Sequence, residues 1–92
     1  MPEALYARAA PLLEAEVDEE IVALDRKRGE VFGFNHVASD VWRLLEEPQT
    51  FDQLCRALQD RYDVAPDRCA EDTRELLEEL TQLRLVRRIP EA

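Results

Sequence analysis

Read from the amino end, the apolar positions of this chain change their period. Leu12 to Val17 mixes apolar and acidic residues, and Ile21 to Leu24 is a short apolar run opening on two β-branched residues. Runs of this length and composition predict strands. Asp25-Arg26-Lys27-Arg28-Gly29 follows, and a charged stretch closing on glycine predicts a hairpin turn. Val31-Phe32-Gly33-Phe34 supplies a second run of strand formers, with Phe32 and Phe34 on one face by the period of two. The expectation is a β-hairpin with a third, N-terminal strand.

From Asn35 onward the period is helical. Val37, Ala38, Val41, Trp42, Leu44 and Leu45 recur at the spacing of one helix face. Asn35 stands at the N-cap, where its side chain accepts a free backbone N–H of the first turn. Pro48 closes this helix. Thr50 and Gln53 form a T-x-x-Q capping box. The helix they open places Phe51, Leu54, Cys55, Leu58 and Tyr62 on one stripe, with 63–65 as connector. Pro66 suits the first position of a third helix, whose stripe runs Cys69, Thr73, Leu76, Leu77, Leu80 and Leu83. Leu85-Val86 and Ile89 read as a short strand or a packing tail. The fold class expected is α+β, a three-stranded antiparallel sheet followed by three helices, compatible with a winged helix-turn-helix.

Charge and size narrow the function. Ninety-two residues make a single domain, 1–92, which buries only about 60–65% of its unfolded surface and has room for one small core. The 21 acidic residues outnumber the 12 basic ones and leave a formal charge of -9. That balance repels a phosphate backbone and an anionic lipid surface, so neither nucleic acid nor membrane is an expected partner. The first twenty residues carry acids early and no sustained apolar run. Neither a signal peptide nor a membrane span is read there, and a cytosolic location is expected.

Candidate chemistry is sparse. Cys55 and Cys69 form no CxxC, and His36 is the only histidine, so no metal site and no cofactor is expected. Both cysteines are expected to be reduced, small apolar residues on helices. Ser39 is the only serine and lacks a flanking oxyanion motif, so the chain does not read as an enzyme.

The stretch Gly29-Glu30-Val31-Phe32-Gly33-Phe34-Asn35, followed by Val41-Trp42-Arg43-Leu44-Leu45, resembles the PqqD family. There a strand ends in a hydrophobic residue and Asn, before a helix with an aliphatic-aromatic-x-Leu-Leu segment. Thr50-Phe51-Asp52-Gln53-Leu54 and Tyr62-Asp63-Val64 are similar to the family's second helix and its exit. Glu71-Asp72, Leu76-Leu77, Leu80 and Leu85-Val86 are similar to its third helix and closing segment. The likeness runs from about residue 12 to residue 88, and is strongest to the stand-alone recognition proteins of lasso-peptide pathways. Phe34 stands where that family more often has Leu, a substitution a core absorbs by volume.

The resemblance implies a protein that binds the leader of a ribosomally made precursor peptide. It would present the core segment to modifying enzymes, such as a leader peptidase and a cyclase. Val31, Phe32, Gly33 and Phe34, at a sheet edge, would take the peptide by β-strand addition against the third helix. Gly33 would let the incoming backbone approach closely. On the helix, Leu76 and Leu80 lie on the apolar stripe, while Cys69, Asp72 and Thr73 at its border are candidate ligand contacts. Lys27 and Arg28 form a hairpin tip that is either simply solvated or touches acidic residues of the leader. The acidic residues Glu71, Asp72, Glu75, Glu78 and Glu79 are a solvated face or a docking face for a basic partner surface.

Three alternatives stand beside this reading. A DNA-binding winged helix needs a basic recognition helix, and the third helix is acidic. A carrier protein needs an Asp-Ser-Leu type motif, whereas the order here is Ala38-Ser39-Asp40-Val41. A PqqD proper, serving pyrroloquinoline quinone biosynthesis, would differ only in its precursor peptide.

Overall fold

The computed structural model describes residues 3–90. Its elements run β1 (Leu5–Arg8), β2 (Leu13–Val17), β3 (Glu20–Asp25), β4 (Glu30–Gly33), α1 (His36–Leu44), β5 (Gln49–Thr50), α2 (Phe51–Arg61), α3 (Pro66–Gln82) and β6 (Val86–Ile89). The expected antiparallel meander is β2-β3-β4, and the three helices follow it in a winged helix-turn-helix, α+β arrangement. A second antiparallel sheet, ordered β5-β1-β6, was not foreseen beyond the tail at Val86 to Ile89. In it β1 pairs with β6 from Leu5↔Ile89 to Arg8↔Val86, which joins the two ends of the described chain.

Local signals explain the boundaries. The β3–β4 turn is closed by Gly29 in the left-handed region at φ 68°, and by Asp25, whose carboxylate accepts from the backbone N–H groups of Lys27 and Arg28. Asn35 caps α1 by accepting from the Ala38 N–H at 2.8 Å. Thr50 and Gln53 complete the capping box in both directions. Pro66 opens α3, where its missing N–H costs nothing.

The core is centred on Val41, Trp42, Leu45, Leu54 and Leu85, all essentially inaccessible. Val37, grouped with the α1 stripe by spacing, is instead half-exposed in the first turn. Ser39 is fully buried and staples α1 to the sheet. Its hydroxyl accepts from the Ile21 N–H at 2.9 Å and donates to the Phe34 carbonyl at 3.1 Å. The buried Asp40 carboxylate is satisfied by Arg43, Arg61 and the Tyr62 hydroxyl, tying α1 to the end of α2.

The meander places its faces in an unexpected way. Glu14 accepts from the Trp42 indole at 2.8 Å and Glu16 pairs with Arg43, so the acidic residues of β2 point toward α1. Arg8 completes this cluster, its guanidinium 4.5 Å from the Trp42 ring and bonded to the Trp42 carbonyl. Leu13, Val17, Val22 and Val31 therefore point outward, and each is at least 40% exposed.

Candidate functional site

The site is built on β4, which has β3 on one side and no strand on the other among the described residues. Phe34 donates its N–H to the Ile21 carbonyl at 2.9 Å. Antiparallel pairing alternates, so in the same ladder Phe32 opposite Ala23 and Glu30 opposite Asp25 direct their backbone groups at β3. Val31 and Gly33, the residues between, direct theirs at the open edge. An extended chain laid there meets two donors and two acceptors with no competing partner in the sheet.

Facing this edge is α3. Between them lies a groove of about 300 Å³, lined by Val31, Phe32, Gly33 and Phe34 on one wall and by Leu76, Glu79, Leu80 and Leu83 on the other. Asn35 and Ala38 close one end. Apolar side chains alternate there with polar groups, the Asn35 amide, the Glu79 carboxylate and exposed backbone, a mixture that suits an extended peptide, which brings both side chains and backbone hydrogen-bonding groups. Gly33 is open on its free side: a Cβ built there meets nothing within 4 Å. Arg28 shapes the groove without lining it. Its guanidinium bonds the Asp25 carboxylate at 2.8 Å and the Leu83 carbonyl at 2.9 Å, and lies over the Phe32 ring. It ties the hairpin to the end of α3.

Of the residues singled out from sequence, Val31, Phe32, Gly33, Phe34, Leu76 and Leu80 come together here. Cys69 and Thr73 are placed elsewhere: both are buried, the Cys69 thiol 3.7 Å from the Cys55 carbonyl and 3.9 Å from the Thr73 hydroxyl. Asp72 is exposed and paired with Arg68 on the outer side of α3. Lys27 is exposed at the turn, outside the groove lining. Sequence reasoning missed the places of Glu79 and Leu83 in the groove lining. The signal for Leu83 was its place at the end of the stripe, where a helix face runs out of core to cover.

Of the residues lining the groove, Glu79 alone is titratable. Ser39 has its hydroxyl spent on two backbone groups. Burial pushes the Cys55 thiol above its usual range, away from the thiolate form. Among the described residues no three His, Cys, Asp or Glu side chains stand together as metal ligands. No described helix is long and apolar enough to cross a membrane.

The family model for PqqD, coenzyme PQQ synthesis protein D, matches residues 20–86, from the start of β3 to the start of β6. The chain belongs to the PqqD family. Within that span lie β4, α3 and the whole groove, so the family match and the site coincide. No curated protein matches the chain. Among solved structures, TbiB1 in complex with the TbiA(beta) leader peptide superposes with a TM-score of 0.78 at 29% identity, covering 87% of this chain and 93% of that one. A lasso peptide synthetase B1 complexed with the leader peptide gives a TM-score of 0.73 at 23% identity, covering 89% and 96%. The second likeness shows the shared PqqD-type fold.

Proposed function

We propose that this PqqD-family protein is a non-catalytic recognition element that binds the leader of a ribosomally synthesised precursor peptide and holds it for a modifying enzyme, in lasso-peptide biosynthesis. The observation that carries the reading is the open β4 edge facing a groove walled by the leucines of α3. Val31 and Gly33 offer the backbone groups, and Leu76, Leu80 and Leu83 offer the side-chain surface. Similarity to TbiB1, solved with a leader peptide and alike over nearly its whole length, supports the same role. The whole chain acts as one recognition domain, with its core from about residue 12 to residue 88, in the cytosol where precursor peptides are made.

Strand addition accounts for affinity without sequence demands on the peptide backbone, and the groove adds selectivity through alternate side chains. The protein needs no cofactor for this. Its acidic surface disfavours the DNA-binding reading of the same fold, since a helix bearing Glu71, Glu75, Glu78 and Glu79 repels phosphate. A PqqD proper is the second reading, favoured by the description of the matching family; the peptide that binds separates the two.

The test is a fluorescence-anisotropy titration with labelled leader from the precursor gene adjoining this one. A scrambled leader and a DNA duplex serve as controls. Submicromolar binding of the leader alone is expected, whereas binding of the duplex in its place would return the protein to the winged-helix DNA binders.

A further inference from the structure

A second cavity, of about 580 Å³, lies apart from the groove. It lies past the end of α3, between the 9–13 segment and the β3–β4 turn. Its volume falls in the range of ligand sites, about 300–1,000 Å³. Pro11 and Leu12 supply an apolar floor, and Arg26, Lys27 and Arg84 stand at its rim.

Three observations bear on what fits there. First, the rim is cationic in a protein of formal charge -9. Asp25, the only acid of the lining, is neutralised by Arg28, while Arg26, Lys27 and Arg84 pair with no carboxylate among the described residues. Second, Arg84 occupies the residue after the α3 C-cap with φ 61°. That left-handed position ordinarily goes to glycine, because any Cβ is strained there. An arginine at that position brings a cation to the rim at the cost of backbone strain. Third, the cavity adjoins the groove: Leu83 lines one, Arg84 the other, and Arg28 bonds across the boundary to the Leu83 carbonyl.

We propose that this cavity is a second peptide subsite, which takes an acidic segment with apolar side chains from the same peptide that adds to β4. The inference rests on the strand-addition reading. A strand added antiparallel to β4, the pairing already used throughout this sheet, runs from the Gly33 end toward Glu30. It leaves the edge at the turn that carries Lys27, so its C-terminal flank is the part that reaches the rim.

Two probes separate the subsite from the groove. The first is a labelled hexapeptide of alternating glutamate and leucine, with a glutamine–leucine counterpart as control. Wild-type protein is expected to bind the acidic peptide and not the neutral one. The double variant Lys27→Gln/Arg84→Gly is expected to bind it about tenfold more weakly at low salt, with the difference shrinking as salt rises. Arg84→Gly alone should melt at or above the wild-type temperature, since it relieves the left-handed strain, so a loss of affinity is not a loss of fold. Leu76→Asp, in the groove, should leave the hexapeptide's affinity unchanged. Equal binding of acidic and neutral peptides, or a double variant within twofold of wild type, overturns the subsite.

The second probe is the leader from the adjoining precursor gene, with its Asp and Glu residues beyond the β4-paired stretch changed to amides. The peptide change and the protein change should each weaken binding and fail to add. If wild type binds leader and the double variant binds it equally, the flank assignment falls and strand addition stands. If wild type binds no leader, the functional reading falls and takes the flank assignment with it.

Discussion

Replacing Gly33 by proline tests strand addition at a single backbone atom. The Gly33 N–H points to the open edge, because the ladder bonds to β3 fall at Phe32 and Phe34 on either side. Proline therefore removes no internal hydrogen bond. It also restricts Phe32, the residue before it, to the extended region that residue already occupies. The folded protein should keep its melting temperature within a few degrees, helped by the stiffer unfolded chain. In the complex, the peptide carbonyl that would accept from residue 33 is left without a donor, a loss of about 1–3 kcal/mol. Taking about 2 kcal/mol, leader affinity falls by about 30-fold, before any clash of the ring with the added strand. Gly33→Ala is the matched control, since it keeps the donor and its Cβ has open space in the free protein. The assay pairs leader anisotropy with thermal denaturation by circular dichroism. A folded Gly33→Pro that binds leader within twofold of wild type would falsify strand addition at β4.

Other positions give sharper views of single terms. Leu76→Asp puts a carboxylate into the leucine wall of the groove from a half-buried position, and should weaken leader binding at least about tenfold, or about 1.4 kcal/mol. It should lower the melting temperature less than Leu77→Asp, whose side chain is only 3% exposed. Ser39→Ala strands the Ile21 N–H and the Phe34 carbonyl in the core, at about 1–3 kcal/mol of stability, which a urea titration would read as a lower midpoint at unchanged slope. The Arg28 guanidinium and the turn N–H groups hold the Asp25 carboxyl below its ordinary value of 3.8. A carboxyl depressed on folding stabilises above its unfolded value and loses that contribution as pH falls through the folded one. Wild type should thus lose stability below about pH 4, and Asp25→Asn should start lower at neutral pH and show a shallower acid slope.

What could be read from the sequence was local. Asn35, the Thr50–Gln53 box and Pro66 act on backbone groups three residues away or fewer, so their chemistry is visible without the fold. The β4 run and the leucines of α3 were legible for a similar reason, being set by period. What stayed hidden depends on partners far along the chain. β1 is held by β6 across the whole length of the protein, and β5 is only two residues long. Glu14 turns inward because Trp42 and Arg8 await it, which no alternation rule anticipates. Cys69 and Thr73 sit on the stripe by spacing, but only the packing of α3 on α2 shows that they face Cys55 and not the groove.

The contact between Arg28 and the Leu83 carbonyl fixes how far apart the two walls of the groove stand before any peptide arrives. A hairpin clasped to the helix end has little left to rearrange on encounter, so the entropy lost on binding falls mainly on the peptide. The association rate should then stay in the ordinary range for docking a flexible chain, and leaders of different strength would be told apart by how long they remain. Loosening the clasp would convert a rigid slot into one that each leader must first assemble.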